Sequence, residues 1–194
     1  QIRLRHPAIQ LFRGFTLPRD GVKFPAALFF DHNDTMTLQD IIDLEIENKA
    51  PPEWTPTKKS CVIFGLTAAL KYVHSQHIIH NNIETTKILL NKDFEPMLSD
   101  FSNAAVVSSC VDGCITKKSG TAMWRSPEMF NNEPYTLPSD VYSYGQVIHS
   151  IVTLKYPFPS KTSYNDLEVQ IRQWNDAAIY EASKDFPPEF DGGY

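Results

Sequence analysis

The sequence predicts an α+β fold whose strands and helices are segregated along the chain. Two short apolar runs separated by a turn signal stand at the start. Later come longer stretches whose apolar residues recur at steps of three and four, with one small hairpin signal between them. With 194 residues the chain suits one domain or part of a larger one. Hydrophobic residues make up 42% and aromatics 12%, enough for a packed core and well above disordered compositions.

Residues 9–15 and 26–30 are the two apolar runs. The link between them holds Pro18 and the pair Asp20-Gly21, so they read as antiparallel strands with a turn. Phe12, Phe15, Phe24, Phe29 and Phe30 are expected to form the core of this β part. Apolar residues at 38, 41, 42 and 44 predict a short helix over 37–44. Pro51, Pro52 and Pro56 make 49–59 a loop. Val62, Ile63, Leu66, Ala69, Leu70 and Val73 predict an amphipathic helix from Ser60 to about Ser75.

Residues 88–90 and 96–99 flank Asn91-Lys92-Asp93, which reads as a hairpin, and 103–118 is a polar, glycine-containing loop. Ser139 and Asp140 are cap candidates for a helix with apolar positions Val141, Tyr144, Ile148, Ile151 and Val152. Tyr156-Pro157-Phe158-Pro159 ends that helix, and 165–181 reads as helical again. Trp124 and Tyr144 are expected in the core.

A net charge of −5 argues against a general nucleic-acid binder, which carries a basic face. No apolar run approaches the roughly 20 residues of a membrane helix, and no basic-then-apolar leader opens the chain, so a cytoplasmic location is expected. The first residue is Gln1 rather than Met. Cys61, Cys110 and Cys114 are too few for a disulfide framework or a four-ligand zinc site and read as free thiols. His74, His77 and His80 invite a zinc reading, but His77 ends a helix and His80 follows the extended Ile78-Ile79. They would not share one face, and no acidic or cysteine ligand follows at helical spacing.

Four stretches in order resemble the eukaryotic protein kinase family. "IIHNNIETTKILL" resembles the catalytic-loop motif HRDLxxxN and the strand after it. "LSDFS" resembles the Asp-Phe-Gly metal loop, with Ser102 for glycine. "GTAMWRSPE" resembles the end of the activation segment, with Ser126 for the alanine of Ala-Pro-Glu. "SDVYSYGQVI" resembles the start of the central helix of the large lobe. The spacings, 18 residues from Asn82 to Asp100 and 12 from Glu128 to Asp140, are those of the family. Upstream, "RHPAIQLFRGF" and "ALFFDHNDTMTLQDII" are similar to the fourth strand region, and to the fifth strand, hinge and following helix.

The resemblance implies a partial kinase domain over 1–194. About 1–31 would be a small-lobe remnant carrying the fourth and fifth strands, and about 32–194 the large lobe. ATP and magnesium are the implied cofactors. Phe30 takes the gatekeeper place, Asp31 and His32 the hinge, and Leu89 a nucleotide-pocket position; Asp100 takes the place of a metal ligand. His80, Glu128 and Asp140 match structural residues, with Asp140 buried against the catalytic-loop backbone and His80 packed under the metal loop.

The chemistry-bearing positions depart from the family. Asn82 stands at the catalytic aspartate, and an amide cannot accept a hydroxyl proton at neutral pH. Asn81 replaces the arginine that grips a phosphorylated loop. Glu84 replaces the lysine that contacts the γ-phosphate. Lys87 replaces the metal-ligating asparagine and has donors only, whereas magnesium takes oxygen ligands. A Lys87–Asp100 ion pair in place of the metal is expected. No glycine-rich loop or strand-borne V-A-I-K precedes "RHPAIQ", so the domain reads as incomplete at both ends, leaving Glu128 without the arginine it pairs with in the family.

Ser108, Ser109, Thr116, Ser119 and Thr121 are candidate phosphorylation positions that read as a solvated loop. The expected function is a catalytically impaired pseudokinase that engages a protein partner. The alternative is an active serine/threonine-type kinase, phosphorylating a protein substrate, whose small-lobe parts lie outside this segment. Oligomeric state is not legible.

Overall fold

The computed structural model describes residues 4–17, 26–31, 36–107, 121–130, 133 and 135–157. The expected turn at Pro18 and Asp20-Gly21, Phe24, His32, most of the 103–118 loop, four of the phosphorylation candidates, Cys110, Cys114 and the 165–181 helix lie outside these residues.

The elements run β1 (Phe12–Thr16), β2 (Ala27–Phe30), β3 (Met36–Thr37), α1 (Leu38–Ile46), α2 (Pro56–Ser75) and β4 (Ile78–Ile79). Then come β5 (Ile88–Leu90), β6 (Pro96–Leu98), β7 (Ala105–Val106), α3 (Pro127–Phe130) and α4 (Leu137–Thr153). Strand pairs come first and helices dominate later, the expected α+β arrangement.

β1 and β2 form an antiparallel ribbon in which Phe12 faces Phe30 and Phe15 faces Leu28. Its aromatics are not the expected core: Phe15 and Phe29 are 53% and 51% exposed, while Phe12 and Phe30 are half-buried, their rings 5.6 Å apart at 68°. A two-stranded ribbon by itself covers only part of its apolar surface. The lead-in to β1 is anchored instead: Gln10 N–H donates to the Leu98 carbonyl at 3.0 Å and Leu98 N–H to Ala8 at 2.9 Å.

Helix starts depart from expectation because of proline and threonine. α2 begins at Pro56, inside the expected loop, because proline lacks the N–H that the first helical turn leaves unpaired. The Thr55 hydroxyl caps it, accepting from Lys58 N–H at 3.3 Å. Thr37 caps α1 through a reciprocal pair with Asp40, at 3.1 and 2.8 Å. α4 begins at Leu137 after Thr136, so Ser139 and Asp140 lie inside its first turn rather than capping it. Ser139 still serves the start, its hydroxyl accepting from Thr136 N–H at 3.1 Å.

The core joins α1, α2, α4 and the β5–β6 hairpin, with Ile41, Val62, Val73, Ile88, Val147 and Ile151 all at 0% exposure. Trp124 and Tyr144 are buried as expected, at 6% and 8%. Val141, one of the apolar positions that predict α4, is 54% exposed. The inner face of α4 is partly polar, with Ser139, Asp140, Ser143 and Ser150 buried, so periodicity places Tyr144, Ile151 and Val152 inward and misplaces Val141 alone. Among the described residues no helix is long and apolar enough to cross a membrane.

α2 meets the hairpin at Gly65, where an added Cβ would stand 2.7 Å from Pro96 Cγ. Alanine favours a helix by about 1 kcal/mol over glycine, but forced overlap costs about 1–3 kcal/mol. Gly65→Ala is therefore expected to lower the melting temperature despite the better helix former, as read by thermal unfolding; a rise would mean that helix and hairpin separate at no cost.

Candidate functional site

The site hangs from a buried carboxylate. Asp140 is 0% exposed and accepts four hydrogen bonds. Oδ2 takes His80 N–H at 2.8 Å and is 3.0 Å from His74 Nε2. Oδ1 takes Asn81 N–H at 2.9 Å and the Tyr135 hydroxyl at 2.8 Å. Burial, then the Asp140 charge, push the Tyr135 hydroxyl well above its usual range, so it stays a donor. Two consecutive N–H groups can meet one carboxylate because Asn81 turns left-handed, φ 61°, a conformation asparagine tolerates.

His80 packs against Ser99 and Phe101. It is 0% exposed. Nε2 lies 2.9 Å from the Ser99 carbonyl, and the ring meets Phe101 edge-on at 4.6 Å. A carbonyl only accepts, so Nε2 carries the proton and Nδ1, which has no partner, is bare. Burial lowers the His80 pKa, against the raising effect of Asp140, Ser99 and Asp100. The three histidines go to different places: His74 and His80 as above, and His77 at a left-handed turn whose carbonyl accepts Val107 N–H at 2.8 Å.

From this anchor the chain runs through Asn82, 9% exposed, and Glu84, 6% exposed, into a tight turn at Thr85–Lys87. The Lys87 carbonyl accepts both N–H and hydroxyl of Ser99, at 2.9 and 2.8 Å, which sets Lys87 beside Asp100. Lys87 Nζ lies 3.0 Å from Asp100 Oδ2, with each side chain about a third exposed. Asp100 sits in the left-handed region at φ 55°, and its Oδ1 accepts the Ser102 hydroxyl at 2.6 Å. Burial opposes charge on Asp100, but the hydrogen bonds from Ser102 and Lys87 and the Lys87 charge together hold its carboxyl below the usual carboxylate value.

These residues do not fit magnesium. Both Asp100 oxygens have donors inside the chain, and the neighbouring ligand position is held by an ammonium, which repels a cation. Nor do they fit a nucleotide triphosphate: Glu84 puts a buried carboxylate where the resemblance implies a cation. Its Oε1 accepts the Thr86 hydroxyl at 2.6 Å, and its Oε2 has no hydrogen-bond partner.

The expected nucleotide-pocket residues are divided between sheets. Phe30 ends β2 and Asp31 follows it, whereas Leu89 lies on β5 opposite Thr37 and Met97. Asp31 pairs with Arg13, with Nη2 to Oδ2 at 2.7 Å, its N–H donates to Leu11 at 2.9 Å, and its carbonyl accepts from Gln10 at 3.2 Å.

Glu128 Oε1 accepts the Ser139 hydroxyl. Ser126 is 0% exposed and its hydroxyl has no hydrogen-bond partner. Sequence reasoning missed Tyr135 and Ser99. Tyr135 lies in no quoted motif and Ser99 lies inside "LSDFS" without a role assigned to it, and each acts through a contact closed by the fold. It also set His74 aside along with the zinc reading.

Two outcomes follow from this geometry. Ser126→Ala is expected to raise stability by about 1 kcal/mol, because it removes a buried hydroxyl with no partner; denaturant unfolding reads it, and a loss would mean the hydroxyl has an acceptor. For His80 the folded pKa lies below the ordinary 6.5, so the unfolded chain binds more protons and stability rises with pH. The contribution is complete above pH 6.5 and falls as the pH drops through it. Melting temperatures measured from neutral pH down to pH 5 are expected to fall, and the fall is expected to be smaller in His80→Gln.

A family model described as protein kinase domain matches residues 3–191. A probable serine/threonine-protein kinase of Dictyostelium discoideum is 30% identical over 156 residues, 79% of this chain and 14% of that protein. Serine/threonine-protein kinase Nek5 of Mus musculus is 28% identical over 178 residues, 91% of this chain and 27% of its own length. Mitogen-activated protein kinase kinase 3 of Arabidopsis thaliana is 27% identical over 186 residues, 95% of this chain and 34% of its own length. The chain thus spans about a third or less of these relatives. Its α+β architecture, the buried Asp140 anchor and the match over nearly its whole length agree: the chain belongs to the protein kinase family.

Proposed function

We propose that this kinase domain engages a protein partner without transferring phosphate. The observation that carries the reading is the Lys87–Asp100 ion pair, 3.0 Å long, at the position where the family resemblance implies a metal. At its exposure the pair contributes only about 0–1 kcal/mol to stability. Its weight is chemical, because it commits the carboxylate that would hold magnesium.

Two further substitutions support the same reading. Phosphoryl transfer in kinases depends on an aspartate that takes the hydroxyl proton and on cations around the phosphates. Here Asn82 has no site for that proton, and Glu84 adds an anion. Loss of a single general base typically costs about 10²–10⁴ in rate, and the losses here affect base, metal and phosphate contacts together. What remains is a folded surface able to hold protein segments.

Incubation of the chain with magnesium, labelled ATP and a hydroxyl-bearing protein substrate tests the reading, with Asp100→Ala as control. No incorporation above that control is expected. Transfer by the wild type that disappears in Asp100→Ala would establish an active serine/threonine-type kinase and overturn the proposal.

A further inference from the structure

The β1–β2 ribbon joins the rest of the chain at two crossings, and these meet opposite edges of one sheet. That sheet runs in the order β3–β5–β6. The lead-in to β1 lies along the β6 edge. Ile9 bridges Leu98, Leu98 N–H donates to Ala8 at 2.9 Å, and Gln10 N–H donates to the Leu98 carbonyl at 3.0 Å. On leaving β2 the chain passes Asp31 and enters the β3 edge, where Met36 faces Leu90 of β5.

Between the two crossings every polar group of Asp31 is committed. Its N–H donates to the Leu11 carbonyl at 2.9 Å, its carbonyl accepts Gln10 Nε2 at 3.2 Å, and its carboxylate takes two hydrogen bonds from the Arg13 guanidinium. These bonds differ in what they join. Arg13 lies on β1 with its side chain 61% exposed, so its pair with Asp31 ties the ribbon to itself. Gln10 is half-buried and reaches further. Its backbone is bonded to β6 and its side chain to Asp31, and among the described residues it alone is hydrogen-bonded to both.

A hinge is a few residues that absorb a change in φ and ψ. One crossing can hinge by itself, whereas two crossings tied to each other turn only when the tie breaks. We propose that the Gln10 carboxamide is a clasp between the crossings, which holds the ribbon and the β3–β5–β6 sheet in one mutual orientation. The position demands a side chain that reaches the Asp31 carbonyl and carries an N–H. Leucine has no donor, an ionised glutamate only accepts, and asparagine is one methylene short. The clasp acts whether or not the domain transfers phosphate.

Residual dipolar couplings and amide exchange of the whole chain, measured by NMR at neutral pH with no nucleotide or metal added, test the clasp. In the wild type, the amides of β1–β2 and of β5–β6 are expected to fit one alignment tensor. In Gln10→Leu they are expected to need two. The Asp31 amide is expected to exchange about tenfold faster there, the weight of roughly one hydrogen bond, with amides in the middle of α2 unchanged. Gln10→Asn is expected to behave as Gln10→Leu does, and it carries the test if Gln10→Leu does not fold. Arg13→Met, which removes only the tie within the ribbon, is expected to keep the single tensor. Two tensors in the wild type, one tensor in the Gln10 variants, or a split produced equally by Arg13→Met would each overturn the proposal. So would a rise in exchange as large in α2 as at Asp31, which would mean that Gln10 serves stability alone.

Discussion

A single buried charge organises this domain. The Asp140 carboxylate has no contact with water, a situation that proteins tolerate only when the charge is fully met by donors. Its four donors come from the end of α2, from two consecutive backbone amides after β4 and from Tyr135. Three of them lie 59 to 66 residues away in sequence. Removing the anion would leave two neighbouring amides and a phenol buried without acceptors. The left-handed turn at Asn81 presents both amides to it, and the chain from Asn82 to Lys87 starts from that turn.

A second set of contacts extends the anchor to Asp100. His80 reaches the Ser99 carbonyl, and Ser99 returns two hydrogen bonds to the Lys87 carbonyl. Backbone therefore fixes the separation of Lys87 and Asp100, and side-chain identity decides what occupies the gap. With an ammonium there, the chain supplies its own cation. The loop from His80 to Lys87 is thus held by hydrogen bonds to Asp140 and Ser99.

Much of this was legible in the sequence for a physical reason. Periodic apolar residues mark α2, and motif spacing aligns His80, Asp100, Glu128 and Asp140, because a fold that returns to the same carboxylate must keep those distances along the chain. What periodicity could not see was polar or local. α4 buries serines, and Val141, one of the apolar positions that predict it, is 54% exposed. Pro56 was read as loop although it opens a helix. The phenylalanines of β1 and β2 were read as core, since sequence does not say whether a second layer covers a ribbon. The contacts of Tyr135, of Ser99 and of the Gln39–Asp43–Tyr156 set were not legible, because they arise between distant segments.

The claim that Lys87 replaces the metal at Asp100 is most directly tested by magnesium titration followed by melting temperature, comparing the wild type with Lys87→Asn. In the wild type, millimolar magnesium is expected to leave the melting temperature unmoved. In Lys87→Asn, which frees Asp100 and sets an amide oxygen beside it, magnesium is expected to raise it by mass action. A rise in the wild type that Asp100→Ala abolishes would contradict the substitution of metal by lysine.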